Sequence, residues 1–124
     1  MKILACDDDP VIRYLLEVVL GRRNGHEVVS VAHPDAVIPA ILEHSPDLVL
    51  IDYVMPGKSG LQVVEEMSER PETADTPVVF LTGRVDVNVN ESLVGSQVAG
   101  LIEKPFDTST ISARLVEMVE RVRQ

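Results

Sequence analysis

Four consecutive apolar residues, Leu48-Val49-Leu50-Ile51, stand between Pro46-Asp47 and Asp52. An apolar run of that length, without alternation, is the pattern of a strand buried on both faces, as in a parallel sheet. A strand with no solvent face requires a layer on each side, and this requirement constrains the fold more than any other stretch. Met55-Pro56-Gly57 then turns the chain away. Asp52 is left at the C-terminal end of the strand, on the edge where open α/β sheets place their chemistry. Taken alone, Asp52 reads as a helix cap or a strand-end turn. Three other stretches change that reading.

Four more short apolar runs are expected to be strands: 2–6, 27–31, 77–81 and 99–103, with 47–51 in the middle. Helical stripes alternate with them. Asp9-Pro10 is a helix start, a capping acid followed by proline at the first helical position. Val11, Ile12, Leu15, Leu16, Val18 and Val19 then form a stripe that ends at Gly21 or Asn24-Gly25. A second helix is expected over about 34–44. Pro39 conflicts with it, because proline removes a backbone donor and clashes with the preceding turn, so a kink or an irregular first turn is predicted. A third helix runs over about 61–69, with Leu61, Val64 and Met67 inward. The stretch 83–100 is ambiguous. Val85-Asp86-Val87-Asn88-Val89-Asn90 alternates with a strand period, whereas the topology calls for a fourth helix of low propensity around Gly95. Asp107 is expected to cap a last helix to about Arg123, with Ile111, Leu115, Met118, Val119 and Val122 inward. Five strands alternating with five helices imply an α/β fold, a doubly wound parallel sheet in one domain over 1–124.

The length of 124 residues suits one domain, and 45% hydrophobic with 25% charged residues is an ordinary globular composition. A net charge of −9 argues against a nucleic-acid or anionic-membrane surface and suits a cation site or a basic partner. No apolar run approaches the roughly 20 residues of a membrane span. The opening Met1-Lys2-Ile3-Leu4 predicts no signal peptide. The single cysteine, Cys6, reads as a small core residue and points to a reducing cytoplasm. His26, His33 and His44 show no ligand spacing and read as surface or packing residues, and Tyr53 as packing beside the site.

In a parallel sheet all C-terminal strand ends share one edge. Asp7 and Asp8 follow the first strand, Asp52 the third, Thr82 the fourth and Lys104 the fifth. Like charges about 4 Å apart repel by roughly 4 kcal/mol at an effective dielectric near 20. Three carboxylates on one edge therefore need compensation beyond the single charge of Lys104. A hard divalent cation with oxygen ligands would supply it, and Mg²⁺ needs only one or two carboxylates plus waters and phosphate.

The stretches Ile3-Leu4-Ala5-Cys6-Asp7-Asp8-Asp9, 46–60, 77–83 and Lys104-Pro105-Phe106 together resemble the receiver domain of bacterial two-component response regulators, the family of the chemotaxis response regulator. The resemblance covers the whole chain. It implies a flavodoxin-like (βα)5 fold of strand order 2-1-3-4-5, the order that serves as the general example of such sheets. It implies that Asp52 is the phosphoacceptor. Mg²⁺ would be held by Asp8, Asp52 and the backbone carbonyl of Val54, with Asp7 acting mainly through water. Thr82 would bond a phosphoryl oxygen, and Lys104 would pair with Asp52 or the phosphoryl group, with a cis peptide at Lys104-Pro105. Val54 and Arg84 would tune the phosphoryl lifetime. The implied partners are a histidine kinase or phosphotransfer protein and a downstream protein or effector domain. A homodimer through the face from helix 4 to helix 5 is compatible with it, and direct nucleic-acid binding is not expected. The chain departs from the family at Leu101, three residues before the lysine, where an aromatic switch residue is usual.

The domain is thus expected to be a signalling switch, not an enzyme. An aspartate-nucleophile phosphohydrolase would carry a second aspartate where Val54 stands. A flavin-phosphate site would be repelled by three aspartates. A pseudo-receiver, a binding module not controlled by phosphorylation, is the remaining alternative, and Leu101 keeps it open.

Overall fold

The structure, a computed structural model, describes residues 1–83 and 97–123. Five parallel strands form one sheet in the order β2-β1-β3-β4-β5, namely β1 (Lys2–Cys6), β2 (Glu27–Val31), β3 (Leu48–Asp52), β4 (Val78–Thr82) and β5 (Val98–Glu103). The predicted architecture and order are both observed. The expectations for a fourth helix, for Arg84 and for Gly95 fall on residues outside those described.

Strand alternation sends successive side chains to opposite faces. Ile3, Ala5, Leu48, Leu50, Val79 and Leu81 enter one core, roofed by Leu16, Val19 and Leu20 and by Ile111, Leu115, Met118 and Val119. Leu4, Cys6, Val49, Ile51, Val78 and Phe80 enter the other, roofed by Val37, Ala40 and Ile41 and by Val63, Val64 and Met67. β3 is the centre of both layers, and all five of its residues are buried. The apolar run thus carries the doubly wound design.

Helix α1 (Pro10–Leu16) is capped by Asp9, whose Oδ1 accepts from the Val11 amide at 2.9 Å. The coil then widens into a π-helical segment, Glu17–Arg23, and ends at Gly25, which takes a φ of +74°. Val11 was expected to face the core, but it is 69% exposed. The stripe centres on Leu16, and an arc drawn through Ile12, Leu16 and Val19 leaves Val11 to one side. Before α2 (Val37–His44), residues Pro34–Ala36 form a 3₁₀ turn. This is the irregular start predicted from Pro39. At the third position of α2 the proline lacks only a donor that a helix start leaves unused. Helix α3 (Gly60–Ser68) opens with a capping box, Ser59 with Gln62.

The C-terminal helix begins later than expected, at Ile111. Asp107 is engaged with Ser109, whose amide and hydroxyl donate to Asp107 Oδ1 at 2.8 and 2.6 Å. Its carbonyl accepts from the amides of Thr110 and Ile111. Asp107 therefore caps a turn that leads into the helix. Asp47 pins the start of β3 to that of β1, with its Oδ2 accepting from the Lys2 amide at 2.8 Å.

Candidate phosphoacceptor site

The sheet register brings the strand ends together. Cys6 pairs with Ile51, Asp52 with Leu81, and Thr82 with Glu103. Asp7 therefore lies beside Asp52, and Lys104 follows one residue beyond Thr82. The Lys104 amide also donates to the Thr82 carbonyl at 2.7 Å. Alternation explains which side chains meet. Asp7 continues the face of Ile3 and Ala5, Asp52 that of Leu48 and Leu50, and Lys104 that of Ile102. The peptide between Lys104 and Pro105 is cis, as the resemblance implied.

Ligand oxygens of Asp7, Asp8 and Asp52 lie within 4.8 Å of one another. Asp7 is fully buried, Asp52 nearly so, and Asp8 is exposed. Lys104 Nζ stands 2.8 Å from Asp7 Oδ2 and 3.2 Å from Asp52 Oδ2. It thus pairs with Asp52, as the resemblance implied, and lies closer still to Asp7. Burial supplies the reason, since Asp7 has no water to solvate it and takes the nearest cation. Asp7 Oδ1 accepts from the Asp9 amide at 2.9 Å. Asp52 Oδ1 receives a long contact, 3.3 Å, from the Val54 amide. Thr82 is 1% exposed at the end of β4.

Burial raises the Asp52 carboxyl above its ordinary range, and the Asp7 charge adds to this, while Lys104 opposes both. For Lys104, burial pulls downward, but the Asp7 and Asp52 carboxylates prevail and the amine is held up. Cys6 lies under the cluster, its Sγ 3.6 Å from Met55 Sδ. Burial, with Asp7, Asp52 and Asp8, pushes its thiol up to about 12, and Arg13 works in the other direction. It is the core residue that the sequence suggested.

These oxygens fit a small, hard divalent cation: two buried carboxylates, one exposed one, and a single ammonium against three negative charges. Asp7, Asp8 and Asp52 offer the oxygens that could hold such an ion.

Sequence reasoning missed Arg13. Its Nη1 donates to the Asp7 carbonyl at 2.7 Å. The available signal was position, because side chains on a helix lean toward its N-terminus and residue 13 lies one turn past Asp9. Lys58 was also missed. It bridges Asp35 at 2.9 Å and Glu66 at 2.8 Å, tying the loop after β3 to the start of the second helical region and to α3. Tyr53 packs edge-on against Phe80, with ring centroids 5.2 Å apart, as expected of a neighbour of the site. His26 links the Met1 amine at 3.0 Å to Ser112 Oγ at 2.9 Å, away from the carboxylates. Leu101 is half-buried against the core on the α2 and α3 side.

A parallel sheet of this order with an acidic strand-end cluster and a half-buried lysine defines a receiver-type fold. The family model of the response regulator receiver domain matches residues 3–116, and the chain belongs to that family. The phosphate regulon transcriptional regulatory protein PhoB of Escherichia coli K12 is 31% identical over 121 residues, 98% of this chain and 52% of PhoB. PhoB of Rhizobium meliloti is 29% identical over 122 residues, 98% of this chain and 53% of that protein. The chain thus spans about half the length of these relatives. Among solved structures, the chemotaxis response regulator CheY4 of Vibrio cholerae superposes with a TM-score of 0.83 at 25% identity, covering 94% of this chain and 97% of that one. The N-terminal domain of a response regulator receiver protein from Methanoculleus marisnigri JR1 gives 0.77 at 30% identity, covering 98% and 94%. Among the described residues, no helix is long and apolar enough to cross a membrane.

Proposed function

We propose that Asp52 accepts a phosphoryl group in a Mg²⁺-dependent reaction, from a histidine kinase or phosphotransfer protein, and that the modified site signals to a downstream protein or effector domain. The observation that carries this reading is the meeting of Asp7, Asp8 and Asp52 within 4.8 Å, with Lys104 between Asp7 and Asp52.

A carboxylate oxygen of Asp52 attacks phosphorus. The new O–P bond forms as the donor–phosphorus bond breaks, and the donor atom leaves with its electron pair. In a phosphohistidine donor that atom is an imidazole nitrogen. The ionised form of Asp52 is the nucleophile, and Lys104 favours that form against burial and the Asp7 charge. Mg²⁺ held by these carboxylates would supply positive charge against the phosphoryl oxygens. Lys104 provides a second, fixed charge at the same edge. The hydroxyl of Thr82, buried at the end of β4, bonds a phosphoryl oxygen in this reading. Val54, 57% exposed at the rim, has no polar side-chain atom to orient an attacking water. The phosphoryl group is therefore expected to outlast that of Val54→Asn.

The test is incubation with acetyl phosphate, with and without Mg²⁺, read by intact mass and peptide mapping. The expected product carries one base-labile phosphoryl group on Asp52, formed only with the metal and absent in Asp52→Asn. Phosphate on another residue, or none, would refute the assignment.

A further inference from the structure

The acidic cluster has a second fixed cation besides Lys104. Arg13 lies in α1 and is half-buried. Its Nη1 donates to the main-chain carbonyl of Asp7 at 2.7 Å. Asp7 makes three other contacts, to different parts of the chain: its amide donates to the Val31 carbonyl at 3.3 Å, its Oδ1 accepts from the Asp9 amide at 2.9 Å, and its Oδ2 pairs with Lys104 Nζ at 2.8 Å. Asp7 is therefore held through four separate atoms, and Arg13 holds the carbonyl. A carbonyl is a neutral partner. Among the described residues no carboxylate pairs with the Arg13 guanidinium, so its charge is not cancelled locally. A guanidinium also remains charged at every working pH. Lys104 at the end of β5 thus meets the side chains of the cluster, and Arg13 on α1 stands against its backbone.

We propose that Arg13 is a positioning residue that also sets the charge balance of the site, weakening its hold on Mg²⁺ while strengthening its attraction for the anionic phosphodonor. The inference rests on the reading of Asp52 as phosphoacceptor. A cation beside a divalent-metal site repels the metal and attracts a phosphate-bearing donor, so the two affinities move in opposite directions when the charge is removed. A residue that merely braces the loop behaves otherwise. Its loss would loosen Asp7 and Asp8 and weaken both affinities together.

The experiment compares wild type with Arg13→Lys, Arg13→Gln and Arg13→Met. Mg²⁺ affinity is measured by isothermal titration calorimetry. The half-saturating acetyl phosphate concentration is measured from phosphorylation rates at saturating Mg²⁺. Thermal melting confirms that each variant is folded, and either neutral variant suffices if the other is not. The expected result for Arg13→Gln or Arg13→Met is Mg²⁺ binding tighter by roughly two- to fivefold, with half-saturation by acetyl phosphate raised by a similar factor. Both differences shrink at high ionic strength. Arg13→Lys, which keeps the charge, stays near wild type in both. Joint weakening of the two affinities in the neutral variants would reduce Arg13 to a brace, and no change in either would make it inert. A wild type that takes neither Mg²⁺ nor a phosphoryl group would overturn the reading of the site itself, and the role of Arg13 with it.

Discussion

Gly60 is the position where a single added methyl group tests whether packing against β3 holds Asp52 in place. It is the first residue of α3, and its amide donates to the Tyr53 carbonyl at 2.9 Å. A Cβ there would lie 2.6 Å from the Asp52 carbonyl oxygen, 3.1 Å from Tyr53 Cα and 3.2 Å from Phe80 Cε1. Two of these neighbours are backbone and cannot rotate aside. To restore ordinary contact, α3 must draw back from β3 by about 0.8 Å, against a capping box and a packed core. Overpacking of this kind costs about 2–3 kcal/mol. The better helix propensity of alanine returns at most about 1 kcal/mol. The net loss is about 2 kcal/mol, which for a domain of this size lowers the melting temperature by roughly 6–10 °C. The Gly60 amide is bonded to the Tyr53 carbonyl, next to Asp52, so the retreat of the helix disturbs that end of β3 and phosphorylation by acetyl phosphate should slow as well. Two glycines serve as controls. A Cβ at Gly100 meets the sulfur of Met118 at 2.8 Å, but that side chain can change rotamer, so Gly100→Ala should cost less than about 1 kcal/mol. A Cβ at Gly83 meets nothing within 4 Å, so Gly83→Ala should fall within about 0.5 kcal/mol of wild type. Thermal melts of the three variants, with phosphorylation rates alongside, decide the matter. Wild-type melting and rate in Gly60→Ala would refute the argument.

Three further outcomes are expected. In Mg²⁺-free buffer at neutral pH, Asp52→Asn should melt a few degrees above wild type, because burial and the Asp7 charge disfavour the ionised carboxylate. With its carboxyl raised in the fold, wild type keeps this stability below the ordinary aspartate value and loses it as pH rises through the raised one, so the gap should close in acid; a variant less stable at neutral pH would contradict this. Gln97→Ala should cost about 1–3 kcal/mol in denaturant unfolding, since the buried Gln97 amide donates to the Thr73 and Thr76 carbonyls at 3.2 and 3.0 Å and their acceptors would be stranded. Cys6 should resist iodoacetamide at pH 8 in the native protein and react on unfolding, because its thiol is held near about 12; fast native alkylation would show that the strand opens locally.

The strands could be read from the sequence because most are short apolar runs, and four of the five are ended by polar residues, which make up the candidate site. Asp7, Asp8, Asp52 and Lys104 were placed on one edge by topology alone, and they meet there. What could not be read from residue type was the difference in burial between two adjacent aspartates. Asp7 is fully buried and takes Lys104, whereas Asp8 is exposed. Strand parity extended one residue past β1 accounts for that difference. Asp7 continues the inward face of Ile3 and Ala5, and Asp8 turns outward. The same parity places Lys104 on the face of Ile102 and Asp52 on the face of Leu50, so the lysine meets Asp7 and Asp52 together. Arg13 escaped notice for a different reason. Its partner is a main-chain carbonyl, which every residue carries, so no pattern of side chains announces the contact. An acidic strand end is thus visible in sequence as a cluster of charges, but the cation that balances it through the backbone is visible only once the first helix is placed over the sheet.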